Sequence, residues 1–149
     1  MPARTLFTIG YEKSVPDALV AALKQAGVQT LIDVRAVPAS RRPGFSKRAL
    51  SERLEQDGIA YLHLRDLGTP KAGRDAAKAG DTATMRRIFA AHMETPEAQA
   101  ALAEAIKIAV ATPACLLCLE RDHDHCHRAI LADTMARRAK FRIERLVPE

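Results

Sequence analysis

Thiol, imidazole, carboxylate and guanidinium side chains are concentrated in one segment near the C-terminus. This segment holds Cys118, Glu120, Cys126, His127 and Arg128. It follows an apolar run and opens a helical pattern, and a cysteine at a helix N-terminus has a lowered pKa because backbone N–H groups stabilise its thiolate. We therefore expect Cys118 or Cys126 to be a nucleophile or a redox-sensitive thiol. Glu120 is expected to be a general base or the group that orients an arginine. His127 and Arg128 are expected to bind an anion.

Other chemistry is open to the same cysteines and histidines. Cys118 and Cys126 are far enough apart to form a disulfide, and spacing alone does not exclude it. A zinc or iron site is an alternative, but the paired-knuckle spacing of structural zinc is missing, so we assign no metal ligand. Cys115 and Cys118 lie three residues apart in an apolar run, on opposite faces of a strand. One of them is expected in the core.

A second group of charged residues follows Asp33. Arg35, Ser40 and Arg41 lie in a loop that also contains prolines. Arginine presents a rigid fork that suits phosphate or carboxylate, and the prolines lower the entropic cost of holding it in place. The loop is therefore predicted to hold an anion, with Asp33 as a general base or as the group that orients an arginine. The alternative is that Arg35 pairs with Asp33 for structural reasons.

The elements that must position these residues follow a regular alternation. Strand-like runs are separated by helical patterns, and they lie at Leu6–Ile9, Thr30–Val34, Ile59–Leu64, Ala114–Leu119 and Arg142–Leu146. This order predicts a single α/β domain over residues 1–149, with a mostly parallel sheet of about five strands and helices on both faces, as in Rossmann-like and flavodoxin-like three-layer folds. The stretch Arg65 to Asp81 is rich in glycine and charge and is predicted as a long loop, with room for a short helix.

Parallel sheets bind ligands at the carboxyl ends of their strands. The loops that contain Asp33, His63 and Cys118 follow strands and should meet there. Tyr11 follows the first strand and is a further candidate for anion binding.

The overall charge indicates the class of partner. The chain of 149 residues carries a formal net charge of +5, which favours an anionic small molecule or nucleotide, with nucleic acid as an alternative. The 4% aromatic content argues against recognition of single strands by base stacking.

The chain lacks an apolar run of about 18 residues, so no membrane partner is expected. Without a secretion-signal pattern, a cytoplasmic location is the expectation. The cofactor and the oligomeric state are unknown from the sequence.

Taken together, these motifs resemble the family of domain of unknown function 488 along nearly the whole chain. The matching segments are Thr8–Tyr11, Leu31–Arg35, Pro38–Arg41, Phe45–Lys47, Tyr61–Leu64, Leu67–Gly68, Leu117–Glu120 and Cys126–Arg128. The resemblance implies a small bacterial or archaeal α/β domain and no established reaction. In the family the first motif commonly ends in histidine, where this chain has Tyr11, and this difference argues against a metal.

The leading hypothesis is an enzyme or nucleotide-binding domain that acts on a phosphate-bearing or otherwise anionic ligand. Arg35, Arg41 and Arg128 would hold its negative groups. The alternatives are a nucleic-acid-binding module without catalysis, and a metal-dependent hydrolase or redox protein that uses the cysteines and histidines.

Overall fold

A parallel sheet forms the centre of the molecule. The computed structural model describes residues 4–40, 42–118 and 127–148. Within these residues the strands are β1 (Arg4–Gly10), β2 (Thr30–Asp33), β3 (Ala60–His63), β4 (Ala114–Cys118) and β5 (Phe141–Leu146). They pair in the order β3-β2-β4-β1-β5, and every pairing is parallel. The predicted parallel sheet of about five strands is confirmed.

Helices cover both faces of this sheet. They are α1 (Pro16–Ala26), α2 (Lys47–Gln56), α3 (Lys71–Lys78), α4 (Thr82–Met93), α5 (Pro96–Ala111) and α6 (His127–Ala139). One apolar cluster packs α1 and α2 against the sheet, and the other packs α4, α5 and α6 against it. Alternate residues of β4 enter different clusters because successive side chains of a strand point to opposite faces. The predicted three-layer α/β architecture is therefore confirmed, with Cys115 in one cluster and Cys118 in the other.

Glycine and capping residues set the limits of several helices. Gly27 follows α1 with a left-handed φ of 76°, a conformation that glycine adopts without steric cost. The Thr95 side chain accepts a hydrogen bond from the Ala98 N–H at the start of α5. Ser46 occupies the N-cap position of α2, but its side chain makes no capping hydrogen bond there.

The segment predicted as a long loop is largely helical. It contains a 3-10 turn at Arg65–Leu67 and the helix α3. The apolar face of α3 consists of small residues, with Gly73 buried and Ala76 and Ala77 partly buried against the core. Such a face is a weaker sign of a helix in a sequence than a stripe of large apolar residues. A Cβ at Gly73 would lie 2.5 Å from Cγ2 of Thr69 and 3.2 Å from Cγ2 of Ile88. The missing side chain therefore lets α3 pack closely against α4.

Among the described residues, every helix is too short or too polar to cross a lipid bilayer.

Candidate functional site

A cavity opens at the carboxyl ends of the strands, where the sequence places the site. Its volume is about 250 Å³. Its walls come from the ends of β1, β2 and β4, from α3 and from the start of α6. The described residues that line it are Tyr11, Arg35, Ala36, Val37, Ala39, Thr69, Arg74, Ala77, Lys78, Met85, Cys118 and His127.

The best-defined part of this site is an ion pair beneath the cavity. Arg35 Nε lies 2.9 Å from Oδ1 of Asp33, and Nη2 lies 2.7 Å from Oδ2. The backbone N–H of Arg35 also donates to Oδ1, at 3.0 Å. Burial lowers the pKa of Arg35, but the hydrogen bond and the negative charge of Asp33 outweigh it and raise the pKa overall. Asp33 thus fixes the guanidinium of Arg35, and this contact is common to the orienting role and to the structural pair that the sequence left open.

The other end of the Arg35 guanidinium is fixed as well. Nη1 donates to the carbonyl of Phe45 at 2.6 Å and to the hydroxyl of Tyr11 at 3.2 Å. The rings of Tyr11 and Phe45 stack with their centroids 4.5 Å apart. Tyr11 therefore lines the cavity and belongs to the apolar core at the same time.

Two residues of β3, Tyr61 and His63, make further hydrogen bonds to Asp33 and Arg35. The hydroxyl of Tyr61 donates to Oδ2 of Asp33. The pKa of Tyr61 is raised, first by burial and then by its hydrogen bond to Asp33. His63 Nε2 lies 2.7 Å from the carbonyl oxygen of Arg35, so it must carry the hydrogen of this contact. His63 thus holds the backbone of Arg35 in place.

Cys118 ends β4 in the wall of the cavity. Arg128 Nη1 donates to its sulfur at 3.1 Å. The Cys118 sulfur is disulfide-bonded, and its partner lies outside the described residues. Cys115, by contrast, is a free cysteine in the core, and burial raises its pKa. The two cysteines therefore lie in different environments: Cys118 lines the cavity, and Cys115 packs in the apolar core.

His127, the first residue of α6, also lines the cavity. Its Nε2 lies 3.0 Å from the carbonyl oxygen of Val34, and its ring packs at a tilt on Phe89 with centroids 5.2 Å apart. Burial lowers the pKa of His127 to about 4. A neutral ring whose Nε2 donates to Val34 carries its lone pair on Nδ1. At neutral pH the imidazole therefore offers a dipole rather than a positive charge.

Two cations on α3, Arg74 and Lys78, complete the lining, and neither was predicted from the sequence. Arg74 and Lys78 are four residues apart, so they share one face of the helix. Nη1 of Arg74 donates to the carbonyl of Thr69 at 3.0 Å, which directs the side chain along the cavity wall, while Lys78 is exposed. A spacing of four residues places two side chains on the same face only in a helix. It would therefore have predicted a basic face only if this segment had first been predicted to be helical.

The remaining predicted residues are distributed around the cavity. Asp33 and Arg128 do not line the cavity themselves. Asp33 contacts Arg35, and Arg128, which is 1% exposed, contacts Cys118. Ser40 organises its own loop: its N–H donates to Oγ of Ser46, and its Oγ accepts from the N–H of Arg42, both at 3.1 Å. Three further candidates, Arg41, Glu120 and Cys126, lie outside the described residues.

One wall of the cavity depends on a close approach of two backbone segments. A Cβ at Gly68 would lie 2.3 Å from the backbone nitrogen of Ala36 and 2.4 Å from its Cα. The φ of Gly68 is −83°, which any residue adopts. The site therefore needs glycine here for space and not for conformation.

No three histidine, cysteine, aspartate or glutamate side chains gather as a metal site within residues 4–40, 42–118 and 127–148. The segment for which the sequence raised this alternative lies mostly outside these ranges.

Comparison with known proteins gives a family and no function. No curated protein and no solved structure matches the chain. The model of the family described as domain of unknown function DUF488 matches residues 16–135. The match covers α1 to α6 almost completely, and with it most of the cavity lining. The chain belongs to the DUF488 family.

Proposed function

We propose that the chain binds an anionic small molecule, a phosphate-bearing metabolite or nucleotide, in the cavity at the carboxyl ends of the strands. The observation that carries the proposal is the charge of the lining. Arg35, Arg74 and Lys78 line the cavity, and no carboxylate does so among the described residues.

Two of these cations, Arg35 and Lys78, are suited to different parts of the binding process. Arg35 is 5% exposed and is held on several sides, so little side-chain entropy is lost when it contacts a ligand. Lys78 is exposed, so its charge attracts an incoming anion from solvent. The fixed guanidinium of Arg35, whose charge Asp33 compensates, and the exposed ammonium of Lys78 together favour a ligand whose anionic group enters deeply.

The apolar part of the lining limits the ligand further. Val37, Ala77 and Met85 contribute apolar surface beside the cations. A cavity of about 250 Å³ exceeds what a bare phosphate ion needs. The lining therefore fits a ligand with an anionic group on an apolar or ring-shaped body better than it fits a free inorganic anion.

A thermal-shift screen tests the proposal. The probes are inorganic phosphate, sulfate, nucleoside monophosphates, sugar phosphates and a short single-stranded oligonucleotide. A ligand at about a hundred times its Kd stabilises the fold by about 2.7 kcal/mol, which raises the Tm of a chain of this size by roughly 5–10 °C. We expect one class of small anion to produce such a shift.

Variants inside and outside the cavity show where the anion binds. The double variant Arg74→Ala/Lys78→Ala should lose most of the shift. Lys107→Ala, which removes a cation from the exposed surface of α5, should keep it. Equal shifts in all three proteins, or no shift with any small anion, would contradict the proposal, and a shift with the oligonucleotide alone would favour nucleic-acid binding.

A further inference from the structure

We infer that Cys118 in its reduced form is a nucleophile that attacks the disulfide bond of an anionic low-molecular-weight disulfide held in the cavity. This inference rests on the proposed anion site, which would supply the binding energy and select the substrate by charge.

The position of the sulfur supports the inference. Cys118 is the last residue of β4 and lines the cavity beside the cations, although the residue is only 1% exposed. A reactant that reaches its sulfur must therefore come through the cavity. Cys115 is 0% exposed and lies in the core on the other face of the sheet, so it is shielded from the same reactant.

Arg128 supplies the electrostatic environment that a reactive thiolate needs. Its Nη1 lies 3.1 Å from the Cys118 sulfur, and the residue is 1% exposed. A guanidinium at this distance in a buried setting favours the thiolate over the thiol, because water screens the attraction only weakly. After reduction, Cys118 is therefore expected to be ionised below the usual range of a free cysteine.

The neighbouring groups favour sulfur exchange over reactions that need a proton donor. His127 is neutral, and its ring N–H is committed to the carbonyl of Val34. The Asp33 carboxylate accepts hydrogen bonds from Arg35 and Tyr61. Disulfide exchange expels a thiolate, which leaves without a proton.

The step is balanced without a further reactant. The Cys118 thiolate attacks one sulfur of R–S–S–R, the new Cys118–S–S–R bond forms, and the electron pair of the broken S–S bond leaves on RS⁻. Glutathione disulfide is a suitable probe because its carboxylates match Arg74 and Lys78. 2-Hydroxyethyl disulfide is a neutral comparison.

The test follows the mixed disulfide by intact-protein mass spectrometry. It uses the reduced full-length Cys126→Ser variant, in which Cys115 and Cys118 are the remaining cysteines. We expect one adduct per chain, formed at least about tenfold faster with glutathione disulfide than with the neutral probe, a difference of ~1.4 kcal/mol in barrier. The pH profile should reach its plateau below about 8.5, the pKa of a free cysteine. Adding Cys118→Ser should abolish the adduct.

The outcomes separate this inference from the proposed function. If small anions stabilise the fold but Cys118 forms no adduct, the inference fails and the binding proposal stands. If the adduct forms equally fast with both probes, and equally fast in the Arg74→Ala/Lys78→Ala background, selection by charge is wrong. In that case the link between Cys118 and the anion site is overturned as well.

Discussion

Arg35 and Asp33 form a two-point ion pair inside the protein, with Nε 2.9 Å from Oδ1 and Nη2 2.7 Å from Oδ2. Asp33 is 0% exposed and Arg35 is 5% exposed. The pair joins the end of β2 to the floor of the cavity, so the stability of the fold and the geometry of the site depend on the same contacts.

Substitution of Asp33 should destabilise the fold. Asp33→Asn leaves the guanidinium of Arg35 buried without its counter-charge, and breaking a buried pair in this way costs about 3–5 kcal/mol. Urea denaturation measures the loss. The exposed pair Arg48–Glu52, at 3.2 Å, offers the control: Glu52→Gln should cost less than about 1 kcal/mol. Equal costs for the two variants would show that the buried pair is not structurally important.

The glycine between the 3-10 turn and α3 should be essential to the cavity. In Gly68→Ala the new methyl group meets the backbone of Ala36, and overpacking of this kind costs about 1–3 kcal/mol. Because Ala36 lines the cavity, anion affinity should fall too. Gly58→Ala is the comparison, since Gly58 has φ +74° with nothing near its Cβ position. It should lose stability but keep anion affinity, as measured by denaturation and by thermal shift with the anion.

The stability of the protein should decrease in mildly acidic solution because of His127. Its pKa is lowered from 6.5 to about 4 in the folded protein, so above pH 6.5 the ring is neutral in both states. As the pH falls from 6.5 towards 4, the unfolded chain takes up a proton that the folded chain does not, and this favours unfolding. The loss attributable to His127 is at most about 3 kcal/mol.

Denaturation at pH 7.5 and pH 5 measures this effect as a difference between two proteins. In His127→Gln the side-chain amide retains a donor for the carbonyl of Val34 but does not titrate. The variant should therefore lose less stability between the two pH values than the wild type. A pH dependence that is the same in both proteins would assign it to other groups.

Much of the fold could be predicted because its signals are local. Each buried strand is a short apolar run, and each helix that packs on the sheet has an apolar stripe. The strand order β3-β2-β4-β1-β5 was not accessible, since it depends on contacts between segments far apart in the chain. The stretch that contains α3 was predicted mainly as a loop, with room for a short helix, because the face that packs on the core consists of the small residues Gly73, Ala76 and Ala77.

The site could be predicted only in outline for related reasons. The loops at the carboxyl ends of strands indicated where Arg35, Cys118 and His127 would meet. Whether an arginine faces a ligand or a neighbouring side chain depends on tertiary contacts, and Arg128 contacts Cys118. Arg74 and Lys78 were not predicted as lining residues because the segment that carries them was predicted mainly as a loop.

The most direct test of the account is a calorimetric titration of three proteins with the anion that stabilises the wild type best. They are the wild type, Lys78→Glu and Lys107→Glu, which have matched changes in net charge. Reversal of a charge in the cavity lining should weaken binding at least about tenfold, or ~1.4 kcal/mol, whereas reversal on α5 should leave the Kd within about twofold. Equal Kd values for the two variants would contradict the claim that this cavity is the anion site.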